Sequence, residues 1–274
     1  MISCERGNEI KRLITGLIGL PLLIAFVSKS SVFQFSCFTV ILTMIGLFEF
    51  YRMALPERRI EGALATLSGT LLCVAIWSED FKWFAPSITL LVLLFSLIFL
   101  WRIKDIKHSA GEIGMLFLGI LYVPLLLAHL ALLRGLPHGV QWIFLLLVIV
   151  MSGDTAAYYT GRSLGKNKLY PLVSPNKTIE GSLGGLAGSI AGVFIARATF
   201  FPELGVVDAI VLAFLLGLLG QAGDLFESML KRSFGVKDSG VIIPGHGGIL
   251  DRLDSILFAA PVAFFYAQFF FLRG

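Results

Sequence analysis

The chain alternates between long apolar runs and short polar breaks. Nine runs approach the ~20 apolar residues that a helix needs to cross a bilayer. They lie at roughly 13–28, 32–50, 62–78, 83–101, 111–133, 139–160, 180–201, 206–226 and 253–272. The third is the weakest and the seventh is rich in glycine. The pattern predicts an all-α polytopic membrane protein of about nine transmembrane helices. The first run follows Lys11 and Arg12, as the apolar part of a signal peptide would. No small-x-small cleavage site follows, and another run begins within a few residues, so it is expected to stay in place as the first helix.

Composition sharpens this reading. The 274 residues are 57% hydrophobic and 15% charged, with a mean hydropathy of +0.87, outside the range of a soluble globular domain. A net charge of +4 bears on loop orientation and gives no sign of a nucleic-acid partner. Cys4, Cys37 and Cys73 are scattered, so no disulfide or zinc framework follows from their spacing. When the loops are assigned alternately to two sides, 17 of the 22 Lys and Arg residues fall on one side and five on the other. Basic loops stay in the cytoplasm. The expected topology has a cytoplasmic N-terminus and an external C-terminus.

The longest polar break runs from Asp224 to Asp254. Asp224 is expected at the cytoplasmic end of the eighth span. Asp251 and Asp254, three residues apart at the start of the ninth, share a helical face. Acids at membrane depth face a polar cavity or a partner. Three carboxylates from adjacent helix ends suit a hard cation such as magnesium, whereas the structural alternative pairs them with Lys231, Arg232 and Arg252. Between them lies Pro244-Gly-His-Gly-Gly248, whose backbone amides could turn toward an anion; His246 by itself reads more readily as a turn or interface residue than as a catalyst. A second polar insertion, Ser174-Pro-Asn-Lys-Thr-Ile-Glu-Gly181, offers Lys177 and two hydroxyls either for phosphate or for capping the seventh helix. Thr178 lacks the reciprocal acid of a capping box. Asp154 is an isolated acid in the sixth span, with no role assigned and expected to be buried.

Two further patterns concern packing. Gly184, Gly188 and Gly192 fall at i, i+4 and i+8, a seam that lets helix backbones approach closely in lipid. Phe144-Leu-Leu, Gly153-Asp154, Arg162-Ser163 and Gly165 recur 70 residues later as Phe214-Leu-Leu, Gly223-Asp224, Arg232-Ser233 and Gly235. A parallel duplication would explain the recurrence, as would chance in a biased composition. If it is a duplication, Asp154, Arg162 and the loop at Ser174 form the other half of the site around Asp224. No Walker-type loop and no nucleophile elbow is present.

Ser228-x-x-Lys231-Arg232, Lys237-Asp238-Ser239, Pro244-Gly-His-Gly-Gly248 and Asp251-Arg252-x-Asp254 together resemble the signature of the phosphatidate cytidylyltransferase (CDP-diacylglycerol synthase) family. The Ser174–Gly181 insertion is similar to a second block of that family, and length and span number resemble a bacterial member. The first five spans carry no motif of it. The resemblance implies that CTP and phosphatidic acid give CDP-diacylglycerol and pyrophosphate. It implies Asp224, Lys231, Lys237, Asp238, His246, Asp251, Arg252 and Asp254 as catalytic residues, with Asp224, Asp251 and Asp254 holding Mg2+ and K+ as a possible second cation. Ser174, Asn176, Lys177, Thr178, Glu180, Ser228, Arg232, Ser239, Gly245, Gly247 and Gly248 would bind substrate. It further implies a scaffold of five helices in residues 1–138, a catalytic part in 139–274, a homodimer, and a multi-pass position in the bacterial cytoplasmic (inner) membrane with the site facing the cytoplasm. Two other functions fit parts of the pattern. A CTP-dependent polyprenol-type lipid kinase would release CDP. A secondary transporter would place its acids near the bilayer midplane.

Overall fold

The computed structural model of the chain describes residues 17–78, 84–242 and 247–272. Among these, the helices in chain order are α1 (Leu17–Lys29), α2 (Val32–Ala54), α3 (Arg59–Trp77), α4 (Phe84–Trp101), α5 (Ile106–Gly135), α6 (Gly139–Leu164), α7 (Ile179–Thr199), α8 (Val206–Ser233) and α9 (Leu250–Tyr266). α9 runs on as one π-helical segment, Ala267–Phe271. Eight of these are long and apolar enough to cross a membrane; α1 is shorter over its described residues. The chain is an all-α polytopic membrane protein, as the apolar runs predict. Residues 13–16 of the first predicted span lie outside the described residues.

Two local features depart from the sequence expectation. α8 does not stop near residue 226 but continues to Ser233, so Asp224 lies well inside the helix and not at its end. The reason is local: Glu227-Ser-Met-Leu-Lys-Arg is polar but helix-forming, and Glu227 pairs with Lys231 at i,i+4 with 3.2 Å between Oε1 and Nζ. The insertion between α6 and α7 forms a small antiparallel hairpin of β1 (Lys168–Tyr170) and β2 (Ser174–Thr178). At its end Thr178 caps α7, its hydroxyl accepting the N–H of Gly181 at 3.0 Å. One of the two readings of that threonine is therefore realised without the reciprocal acid. Glu180 is used elsewhere: its carboxylate accepts the backbone N–H groups of Lys166 and Asn167 and the Asn167 amide.

The described chain divides into two compact units. One takes in the N-terminal part as far as Ala131 together with Asp238–Arg252; the other holds Leu132–Lys237 and the chain from Leu253 onward. In the first, a capping box starts α2, in which Ser31 Oγ accepts the Gln34 N–H and Gln34 Oε1 accepts the Ser31 N–H. Arg58 is 1% exposed and ties three helices together. Its guanidinium donates to Glu112 Oε2 from Nε at 3.0 Å and from Nη2 at 2.7 Å, and to the Arg102 carbonyl. It also lies 5.0 Å over the Phe99 ring. The Glu112 hydrogen bonds raise the pKa of Arg58 above the usual arginine value. Arg102 pairs in turn with buried Glu61 at 2.9 Å.

In the second unit the glycine seam packs α7 on α6. A Cβ at Gly188 would lie 2.7 Å from the Ser152 carbonyl oxygen, and one at Gly192 3.2 Å from that of Val148. A second row follows the same rule, because a Cβ at Gly181 would meet the Ala157 carbonyl oxygen at 3.0 Å. Trp142, Phe201 and Phe271 pack edge to face at 5.2 to 5.7 Å, and Tyr266 donates to Asp208 at 2.6 Å.

Candidate active site

Within the second unit, α6, α8 and α9 bring three acids into mutual range. Asp154 on α6, Asp224 on α8 and Asp254 on α9 interact electrostatically with one another. Lys177, at the end of the hairpin, reaches Asp224 with 2.6 Å between Nζ and Oδ2 and also attracts Asp154. Both members of the pair are about one-third exposed, so the ion pair sits at an opening and not in a sealed core. Ser228, one turn on, donates to Asp224 Oδ1 at 3.4 Å. Asp254 accepts the Ser255 N–H at 2.6 Å and is attracted by Lys231, which pairs with fully buried Glu227.

Charge decides what such a cluster can hold. Asp154, Asp224, Glu227 and Asp254, when ionised, face Lys177 and Lys231. Two negative charges remain, and carboxylate oxygens are the ligands a hard divalent cation takes. No three His, Cys, Asp or Glu side chains among the described residues form a ready coordination shell. Magnesium bound through one or two carboxylates together with substrate phosphates needs no such shell. The donor set therefore fits a divalent ion that arrives with a polyphosphate.

Within the first unit, the described ends of the signature loop, at Ser239 and from Gly248 to Asp251, meet at two carboxylates. Asp251, in the first turn of α9 and 8% exposed, accepts with one oxygen, Oδ2, the N–H of Ser239 at 2.9 Å and of Gly248 at 2.8 Å. The Asp251 N–H donates back to Ser239 Oγ at 3.2 Å. The second carboxylate is Glu49 of α2, 2% exposed. Its Oε1 accepts the Ile249 N–H at 3.1 Å; its Oε2 accepts the Leu250 N–H at 2.9 Å and the Ser239 hydroxyl at 3.3 Å. Gly247 has φ +82°, which favours glycine. A Cβ there would also meet Asp251 Oδ2 at 2.7 Å, and one at Gly248 would meet Glu49 Oε2 at 2.6 Å. Gly247 and Gly248 make room for carboxylates, and the Gly248 amide is already taken by Asp251.

The sequence candidates are thus distributed over both units. Asp224, Asp254, Lys177, Lys231 and Ser228 gather in one cluster. Asp251, Ser239, Gly247 and Gly248 belong to the loop of the other unit. Arg232, Lys237, Asp238, Arg252 and Asn176 are exposed, while Thr178 and Glu180 serve the hairpin and the α7 cap. Ser174 lies in β2. Gly245 and His246 lie outside the described residues. Asp154 is exposed, not buried as its place in an apolar run suggests, and it joins the cluster through its electrostatic interaction with Asp224. Sequence reasoning did not single out Glu49 or Glu227. For Glu49 the available signal was a lone acid in a largely apolar helix, which is costly unless it has a partner; for Glu227 it was the i,i+4 spacing to Lys231.

Comparison with known proteins shows the family. The sequence profile of the Cytidylyltransferase family matches residues 10–270. A phosphatidate cytidylyltransferase of Bacillus subtilis is 31% identical over 271 residues, covering 95% of this chain and 98% of that protein. One from Staphylococcus saprophyticus is 32% identical over 256 residues, covering 92% and 96%. One from Brucella suis is 44% identical over 153 residues, 56% of each chain. The chain belongs to the cytidylyltransferase family and is a membrane-embedded nucleotidyltransferase.

Proposed function

We propose that the protein transfers the cytidylyl group of CTP to phosphatidic acid, forming CDP-diacylglycerol and pyrophosphate. The observation that carries this reading is the family match over residues 10–270 on a chain whose α6, α8 and α9 gather carboxylates and lysines suited to a metal-bound triphosphate. The phosphatidate oxygen is already anionic and attacks the α-phosphorus of CTP, the bond to the β-phosphate breaks, and pyrophosphate leaves. No protein nucleophile is needed, so the side chains act by positioning and by stabilising charge.

Asp224 and Asp254, with Asp154 beside them, would hold a divalent cation, Mg2+ by the hardness of the donors, with K+ as a possible second ion. The cation, when bound, neutralises charge on the transferring phosphate. Lys177 exchanges its Asp224 partner for phosphate oxygens as the triphosphate enters; Lys231, Arg232 and Lys237 add further positive charge. In the other unit, Asp251 and Ser239 tie the chain at 239 to the chain at 248–251. The excess of Lys and Arg in one set of loops supports a bacterial inner-membrane protein whose acid cluster faces the cytoplasm, where CTP is available, while the acyl chains of phosphatidate stay in the bilayer. The homodimer implied by the family is tested by the mass of the protein in detergent.

The test is to supply purified protein with CTP, phosphatidate and Mg2+ and to identify both products. CDP-diacylglycerol with pyrophosphate is expected. Release of CDP would instead mark a lipid kinase, and no CTP consumption at all would remove the enzymatic reading. Adding a chelator is expected to stop turnover, with Mg2+ restoring it.

A further inference from the structure

We infer that Glu49 is a positioning residue for the reaction, holding the signature loop and the first turn of α9 in register from a helix about 200 residues away in sequence. The inference rests on the proposed cytidylyltransferase function.

Glu49 lies in α2, among residues that are otherwise almost all apolar or small. A carboxylate at that depth is expensive unless several donors satisfy it. Three do: the N–H groups of Ile249 and Leu250, and the Ser239 hydroxyl. The first two are N–H groups at the start of α9, which have no intrahelical acceptor. A negative charge also suits the positive end of the helix dipole. Glu49 therefore acts as a cap supplied by another helix, where a cap normally comes from the residue just before the first turn. Next to them, Asp251 organises the Ser239 and Gly248 amides, and Ser239 joins the two carboxylates, its hydroxyl donating to Glu49 and its N–H to Asp251, while Ser239 Oγ also accepts the Asp251 N–H. The loop's small residues fit this arrangement. A side chain at Gly240 or Gly248 would run into the Glu49 carboxylate.

An ordinary core acid would need only to be satisfied. Glu49 instead fixes two segments, one carrying Ser239 and the other carrying Gly248 and Asp251. Misplacing a catalytic loop by about 1 Å costs on the order of 10²-fold in rate. The role thus predicts a loss of kcat at sites Glu49 never touches, without loss of the fold.

The experiment compares full-length wild type, Glu49→Gln and Ser239→Ala in detergent. Three quantities are read on the monodisperse fraction: kcat and KM for CTP, thermal midpoint, and hydrogen–deuterium exchange across 236–252. Gln keeps the shape but turns an NH2 donor toward donors. The expected result is exchange at Ile249 and Leu250 faster by about tenfold or more, kcat lower by about 10²-fold, and exchange in α6 and α7 unchanged. Ser239→Ala, which removes one donor and leaves the Glu49 charge, should show the same signature in weaker form, and it serves as the test if Glu49→Gln fails to fold. Unchanged exchange in the loop, or faster exchange with undiminished kcat, overturns the positioning role. Wild-type protein that makes no CDP-diacylglycerol sinks the function itself. Wild-type turnover with indifferent variants sinks only the inference about Glu49.

Discussion

The Asp251 carboxylate receives two backbone amides on one oxygen, at 2.9 and 2.8 Å, and this sets the expected effect of a single-atom change there. Asp251→Asn keeps the volume but loses the charge that strengthens both bonds. Its amide nitrogen cannot accept, so any rotation of the side chain sets donor against donor. Turnover of the purified variant should fall by about 10²-fold or more, while the protein still inserts in membranes and elutes as the wild type does. Wild-type rates in Asp251→Asn would remove Asp251 from the machinery. At this scale the sequence signal was uneven. Asp224, Asp251 and Asp254 stood out because they interrupt apolar runs within one short stretch. Glu49 did not, because what makes it special is its partners, and those lie far along the chain.

At the scale of elements, spacing was most informative where a rule of helix geometry applies. Gly184, Gly188 and Gly192 recur every four residues, and the structure presses that face of α7 onto α6. Gly188→Leu should overpack the seam, since even a Cβ would lie 2.7 Å from the Ser152 carbonyl oxygen. The cost should be about 1–3 kcal/mol, read as a lower temperature for loss of the monodisperse peak after heating in detergent. Gly114, where a Cβ meets nothing within 4 Å, is the control: Gly114→Ala should leave that temperature unchanged. Element ends were less legible. α8 runs past Asp224 to Ser233 because polar residues that make i,i+4 pairs extend a helix beyond its apolar part. The hairpin at 168–178 has too few residues for an alternating pattern to register.

For the whole molecule, the uneven distribution of Lys and Arg makes an orientation prediction independent of chemistry. A green fluorescent protein fused after Lys166 should fluoresce, and alkaline phosphatase fused after Glu203 should be active. The opposite pair of results would invert the topology and place the acid cluster away from cytoplasmic CTP.

The sequence by itself determined the membrane class, the number of helices to within one short segment, and the family. These follow from hydropathy, which accumulates over some 20 residues, and from a dense motif between Ser228 and Asp254. Tertiary structure decided which acids meet. It joined Asp154 to Asp224 and Asp254, gave Lys177 its partner, and put Glu49 under the signature loop. Spacing along one helix says which side chains share a face. It is silent about which faces of distant helices come together, because that depends on how the apolar surfaces pack.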